Sequence, residues 1–156
     1  MALAVAQART AAKWMLIMPT YKLEGKHMKW IEFVLLAVGA VIGASLRYKL
    51  VESPVAFYGL PVNVLVVNIL GSFILGVFSV LSLGLNFEPQ YTLLVAVGFC
   101  GSFTTMSSFA LETSNLVDAN RFSLMALNIL ANVGLSLGAI FGGRVLGDAI
   151  MERFMR

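Results

Sequence analysis

Four long apolar runs constrain this chain more than any other feature of its sequence. They cover about residues 31–50, 62–85, 91–111 and 122–143, and the second and third contain no charged side chain. Each run has roughly the 20 residues that a helix needs to cross the hydrocarbon core of a bilayer. Only 12% of the residues are charged and the mean hydropathy is +0.88, values typical of membrane proteins rather than soluble domains. The sequence therefore predicts an all-α integral membrane domain with four transmembrane helices.

Two short segments flank these runs. Residues 1–28 carry basic side chains around an apolar patch that is too short to span a bilayer, so we expect a disordered or surface-lying leader. Residues 29–147 contain the expected four-helix domain, and residues 148–156 form a charged, amphipathic tail. A second soluble domain does not fit into this length.

The charged residues lie mostly at the ends of the apolar runs, where lipid headgroups are their neighbours. They form no basic stripe with interleaved aromatic side chains, which argues against nucleic-acid binding. Without the leader, four lysines and arginines fall on the side of the chain termini and three on the other side. The positive-inside rule therefore selects no orientation. Such a balance permits insertion both ways, and hence an antiparallel dimer, unless the leader charges change the count.

The ionisable side chains favour a passive pore over an enzyme or a coupled transporter. Each of the eight acidic residues falls in a predicted tail, loop or last turn of a span, with Glu112 placed in the loop after the third span. Proton-coupled transporters usually need an ionisable group within the membrane. The single cysteine, Cys100, and the single histidine, His27, cannot build a metal cluster or a nucleophile–base pair there.

Uncharged polar residues are concentrated inside the spans. Asn128, Asn132 and Ser136 recur every four residues, so they share one face of the fourth helix and can line a polar track. In the third span, glycine and hydroxyl residues at 98–105 weaken the helix, and irregular backbone at that depth persists only where it is buried or lines a cavity. Each polar residue has two possible roles, pore lining or an interhelical hydrogen bond worth about 1 kcal/mol.

Three motifs in sequence order identify a resemblance to a known family. They are GAVIGASLRY at 39–48, VNILGSF at 67–73 and GFCGSFTTMSSF at 98–109. Together they strongly resemble the Fluc (CrcB-type) fluoride channels over residues 29–147. The resemblance implies four-helix subunits with a break in the third helix, assembled as antiparallel dual-topology homodimers in the prokaryotic plasma membrane. It also implies passive fluoride export and hence fluoride resistance.

The resemblance assigns roles to individual residues. Asn68 matches the family's pore asparagine, and Phe109 matches the second phenylalanine of its aromatic ladder. Gly101 and Thr104 match positions whose carbonyls, from both subunits, hold a structural sodium ion (Na+). Arg47 matches a basic residue that attracts anions to a vestibule, although snorkelling to lipid is its alternative role. The implied fluoride path also includes Ser107, Ser108, Asn128, Asn132 and Ser136.

One position departs from the family pattern, since Met106 stands where the first ladder phenylalanine is expected. A thioether lacks the positively polarised edge that an aromatic ring offers to an anion. A second hypothesis therefore stays open, in which the chain is a non-conducting or heterodimeric subunit of such a channel. A small four-helix drug or guanidinium exporter is a further alternative, but it needs a carboxylate deep in the first helix, whereas Glu32 lies at the edge.

Overall fold

The computed structural model describes residues 28–53 and 55–154. Within these ranges, four helices are long and apolar enough to cross a membrane. They are α1 (Trp30–Val51), α2 (Asn63–Gly84), the third span (Pro89–Asp118) and α6 (Phe122–Phe154). The predicted all-α architecture with four spans is confirmed. The leader predicted for residues 1–28 lies outside the described residues, except for Met28.

The third span is assembled from consecutive helical pieces. They are α3 (Pro89–Thr92), the π-helix π1 (Leu93–Cys100), the short α4 (Gly101–Phe103) and α5 (Met106–Asp118). Between α4 and α5, Thr104 and Thr105 have extended backbone, with ψ of 157° and 113°. α5 continues beyond residue 111, where the apolar run was predicted to end. Polar residues in this segment lower the hydropathy. They do not interrupt the helix, because none of them is a proline or a glycine.

Glycines bring the spans together in two close pairs. α1 lies against π1, where Gly39 and Gly43 face backbone carbonyls of the third span. α2 lies along α6, where Gly76 and Gly143 each face a backbone carbonyl of the other helix. A Cβ atom at any of these glycines would collide with a carbonyl oxygen. The packing role predicted for Gly39 and Gly43 is therefore confirmed, because small residues let membrane helices approach closely.

A short antiparallel hairpin connects α1 to α2. Its strands are β1 (Ala56–Phe57) and β2 (Leu60–Pro61). Tyr58 and Gly59 at the turn have φ of 51° and 84°, the positive values that a two-residue hairpin turn requires. The side chain of Asn63 fastens the hairpin to the bundle, since it accepts from Val55 N and donates to the Leu50 carbonyl, both at 2.6 Å.

α6 has 33 residues and includes most of the segment predicted as a separate tail. Met151 is buried and contacts Gly84 at the end of α2, with its Cε 2.6 Å from where a Cβ of Gly84 would stand. The segment 148–154 therefore forms the last turns of α6. The sequence suggested a boundary because charged residues become frequent from Asp148 onward, but apolar residues keep their helical spacing through this segment.

Exposed aromatic side chains lie near both ends of the bundle. Trp30, at the start of α1, and Tyr58, in the hairpin, are 79% and 88% exposed. Phe122, at the start of α6, is also exposed. Aromatic residues in such positions are typical of the two membrane–water interfaces.

Candidate functional site

A cleft of about 280 Å³ lies between α2, α6 and the extended residues of the third span. Six predicted site residues line it: Asn68, Thr104, Met106, Phe109, Asn132 and Ser136. Gly71 and Ser72 of α2 also contribute, and the absence of a Cβ at Gly71 leaves room for the Thr104 methyl group. Residues from three separate spans thus meet at one place.

Asn68 fixes the extended backbone between α4 and α5. Its Oδ1 accepts a hydrogen bond from Thr105 N at 2.9 Å, and its Nδ2 donates to the Thr105 carbonyl at 3.3 Å. In a continuous helix, Thr105 N would donate to the carbonyl of Gly101, four residues earlier. The Asn68 side chain therefore replaces hydrogen bonds that the extended residues lack.

Thr105 also begins α5 as its N-cap. Its Oγ1 accepts from Ser108 N at 3.1 Å, a capping bond that satisfies a donor in the first turn. The same hydroxyl donates to Ser108 Oγ at 3.0 Å and lies 3.2 Å from Ser107 Oγ. Ser107 and Ser108 are therefore held around Thr105, next to the cleft rather than in its lining.

α6 contributes two amides in different environments. Asn132 accepts from Asn68 Nδ2 at 3.1 Å and donates to Asn128 Oδ1 at 3.0 Å. Asn132 lines the cleft, whereas Asn128 is fully buried outside the lining and donates to Thr113 Oγ1 at 3.1 Å. Both amides make the interhelical hydrogen bonds that were one of the two roles open from the sequence, and Asn132 also faces the cleft.

Ser136 has a different hydrogen-bonding state. Its hydroxyl oxygen is buried and has no hydrogen-bond partner within the described residues. Native structures satisfy most buried polar atoms, because an unpaired one costs about 1–3 kcal/mol. Since Ser136 lines the cleft, a change of its side-chain rotamer would let the hydroxyl donate to a polar guest there.

Met106 and Phe109 lie one helical turn apart at the start of α5 and differ in exposure. Met106 is 74% exposed, whereas Phe109 is only 7% exposed. Both contribute to the cleft. Met106 therefore forms part of its open edge, and Phe109 forms part of its packed wall.

Arg47 and Gly101 lie at the extended backbone but outside the cleft lining. The Arg47 guanidinium, on α1, donates to the Thr104 carbonyl at 3.4 Å. Gly101 is exposed, and a Cβ there would come no closer than 3.8 Å to the nearest atom, the Ala96 carbonyl oxygen. The two carbonyls predicted as sodium ligands therefore differ in their hydrogen-bond partners. That of Gly101 has lost its helical donor, Thr105 N, and that of Thr104 has a guanidinium partner.

Sequence reasoning misplaced Glu112 and missed Thr113. Glu112 lies within α5 rather than in a loop, and its Oε2 is buried without a hydrogen-bond partner in the described part of the chain. The prediction that every acid lies outside the spans or in a last turn is wrong for this residue. Thr113 could have been found from the spacing of Thr105, Phe109 and Thr113, which repeats every four residues.

The sequence matches the family model described as CrcB-like protein, Camphor Resistance (CrcB), over residues 34–144. This range contains every predicted site residue, from Arg47 to Ser136. The chain belongs to the CrcB family. The resemblance drawn from the three sequence motifs is thereby confirmed, and this CrcB-family chain is a multi-pass protein of the plasma membrane.

Curated relatives of this CrcB-family chain include proteins named fluoride-specific ion channel FluC. The one from Nitrosopumilus maritimus (strain SCM1) is 57% identical over 125 residues, which cover 80% of this chain and 99% of the relative. The one from Sulfurihydrogenibium sp. (strain YO3AOP1) is 45% identical over 118 residues, covering 74% and 95%. The one from Methanocaldococcus jannaschii is 42% identical over 121 residues, covering 78% and 98%.

Proposed function

We propose that this protein is a fluoride-specific ion channel that lets fluoride leave the cell down its electrochemical gradient. The relatives named for that activity support the assignment. Among the chain's own residues, the supporting observation is the Ser136 hydroxyl, which has no hydrogen-bond partner in residues 28–53 and 55–154 and lies in a cleft that also holds Asn68 and Phe109. Conduction makes and breaks no covalent bond, so the protein is a channel rather than an enzyme.

The cleft offers a small anion several weak donors in place of water. Ser136 and Ser72 carry hydroxyl groups, Asn68 carries an amide, and the edge of the Phe109 ring is positively polarised. None of these groups bears a full charge. An ion can therefore enter and leave, because conduction requires binding that is favourable but weak. Chloride is larger and fits less well among the same donors.

The proposed working unit is an antiparallel homodimer with dual topology. Met106 and Gly101 are both exposed on the single protomer, so the open edge of the cleft and the extended backbone are accessible to a second copy. In this proposal, the extended residues Thr104 and Thr105 are the functional break in the third helix. A second copy would cover that break and complete the wall beside Met106.

The Gly101 and Thr104 carbonyls of both copies are the proposed ligands of a structural sodium ion. Oxygen ligands suit a hard cation, and Thr105 N, the usual helical donor to the Gly101 carbonyl, bonds to Asn68 instead. The ion would supply positive charge between the two breaks. Arg47 contributes positive charge at the same place through its contact with the Thr104 carbonyl. That position also lets Arg47 attract anions toward the cleft.

One observation favours the alternative of a heterodimeric or non-conducting subunit. Met106 occupies the position of a family phenylalanine and projects from the open edge of the cleft. A partner chain with a phenylalanine there would restore the aromatic ladder. A requirement for co-expression with a second homologue before any flux is seen would support this alternative.

The proposed fluoride path is tested by Ser136→Ala in liposomes, with efflux read by a fluoride electrode. We expect a loss of roughly tenfold in rate, because the variant removes a hydroxyl donor from the cleft. Ser82→Ala is the matched control, since Ser82 is a half-buried serine of α2 outside the cleft lining, and its rate should equal that of the wild type. Wild-type efflux from Ser136→Ala would contradict the assignment of the path to this cleft.

A further inference from the structure

A directed line of hydrogen bonds connects the extended backbone to the middle of α5. From donor to acceptor, it runs through Thr105 N, Asn68, Asn132, Asn128, Thr113 Oγ1 and the Phe109 carbonyl. We call Asn68, Asn132 and Asn128 the amide line. Each member accepts with its Oδ1 from the previous group and donates with its Nδ2 to the next. The amide line begins at the cleft with Asn68 and ends at Asn128, outside the lining.

Thr113 sets the direction of this line. Its Oγ1 donates to the Phe109 carbonyl at 2.7 Å, so its lone pairs are left to accept from Asn128 at 3.1 Å. An amide has one accepting end and one donating end. Because Asn128 turns its donating end to Thr113, its accepting end faces Asn132. Asn132 directs its oxygen to Asn68, and its Nδ2 donates both to Asn128 Oδ1 and to the Asn128 backbone carbonyl at 3.1 Å.

The surroundings of Asn128 make this orientation depend on Thr113. Asn128 is 0% exposed, so its amide cannot turn to water when the Thr113 hydroxyl is removed. A rotated amide would place its NH₂ group against Nδ2 of Asn132, which is also a donor. Either arrangement leaves a buried N–H donor unpaired next to Asn132, which lines the cleft.

We infer that Thr113 is a positioning residue for the amide donors of the fluoride path, acting through Asn128 and Asn132 on Asn68. This inference rests on the proposed function. Thr113 itself does not line the cleft; its hydroxyl contacts Asn128 of the amide line and the backbone carbonyl of Phe109. Its role is to keep the Asn128 and Asn132 amides oriented so that Asn132 Oδ1 accepts from Asn68, whose amide also bonds to the backbone of Thr105.

The test compares Thr113→Val with Thr113→Ser in liposome efflux at a series of fluoride concentrations. Valine keeps the shape of threonine but has no hydroxyl, whereas serine retains the donor and acceptor. We expect Thr113→Val to raise the half-saturating fluoride concentration roughly tenfold and Thr113→Ser to stay close to the wild type. Thr92→Val is the matched control, because it makes the same change in the third span away from the cleft.

The half-saturating concentration separates positioning from a general structural role. A variant that merely folds poorly lowers the maximal rate and leaves that concentration unchanged, and such a result for Thr113→Val would overturn the inference. If Thr113→Val does not fold, Thr113→Ala removes the same hydroxyl and must show the same shift. A wild type that releases no fluoride refutes the proposed function, whereas a conducting wild type with an unshifted Thr113→Val refutes only the role of Thr113.

Discussion

The polar side chains of the cleft use their hydrogen-bonding capacity in different ways. Both ends of the Asn68 amide are engaged by protein groups, whereas the Ser136 hydroxyl has no partner within the described residues. An anion in the cleft could gain the Ser136 hydroxyl as a donor without breaking a hydrogen bond to another described residue. At Asn68 the anion would replace an existing hydrogen bond, whose net contribution to stability is about 1 kcal/mol. Exchange at that cost is compatible with rapid passage.

Replacing Met106 by phenylalanine tests the departure from the family pattern. We expect Met106→Phe to maintain or raise fluoride efflux, because a ring adds a positively polarised edge and the exposed position has space for it. Leu111→Phe is the matched control, since Leu111 is an exposed residue of α5 outside the cleft. A clear loss of efflux in Met106→Phe alone would show that Met106 belongs to a different path.

Most of the cleft residues were predictable because the features that indicate them are local. The family motif identified Asn68, and the four-residue spacing identified Asn132 and Ser136. The hydrogen bonds of Asn68 with Thr105 and Asn132 were not predictable, because Asn68 lies 37 residues from Thr105 and 64 residues from Asn132 in the sequence. Contacts over such separations depend on how the helices pack. Glu112 was misplaced because hydropathy reports where apolar residues end and not where a helix ends.

At the scale of helices, close contact between α2 and α6 supports one wall of the cleft. Gly76 and Gly143 allow this contact, and Asn68 meets Asn132 along the same pair of helices. α1 and α2 end within one residue of the predicted bounds, 31–50 and 62–85. The third span and α6 extend further than predicted, because packing of residues such as Met151 continues where the hydropathy falls.

Gly143→Ala tests whether the close approach of α2 and α6 stabilises the helix bundle. The new Cβ would collide with the Phe73 carbonyl, so we expect a loss of about 1–3 kcal/mol in stability and a lower unfolding temperature in detergent. Gly142→Ala is the adjacent control, because a Cβ there meets no atom within 4 Å. Equal melting temperatures for the two variants would show that the close approach does not stabilise the bundle.

At the scale of the whole molecule, the open edge of the cleft leads to the proposed dual-topology dimer. Ala119→Cys tests it, because Ala119 is exposed in the connection between α5 and α6, while the native Cys100 is 2% exposed. In sealed vesicles, an impermeant thiol reagent should label about half of the introduced cysteines, and all of them after permeabilisation. Labelling of all or none before permeabilisation would establish a single orientation.

The most direct test of the central claim is anion release from liposomes that contain the purified wild-type protein. Fluoride and chloride efflux would be measured side by side with ion-selective electrodes, and protein-free liposomes would give the background. A fluoride channel predicts fast fluoride release with chloride release at the background level. Absence of fluoride release from well-folded protein, or equal release of both anions, would contradict a selective homodimeric fluoride channel.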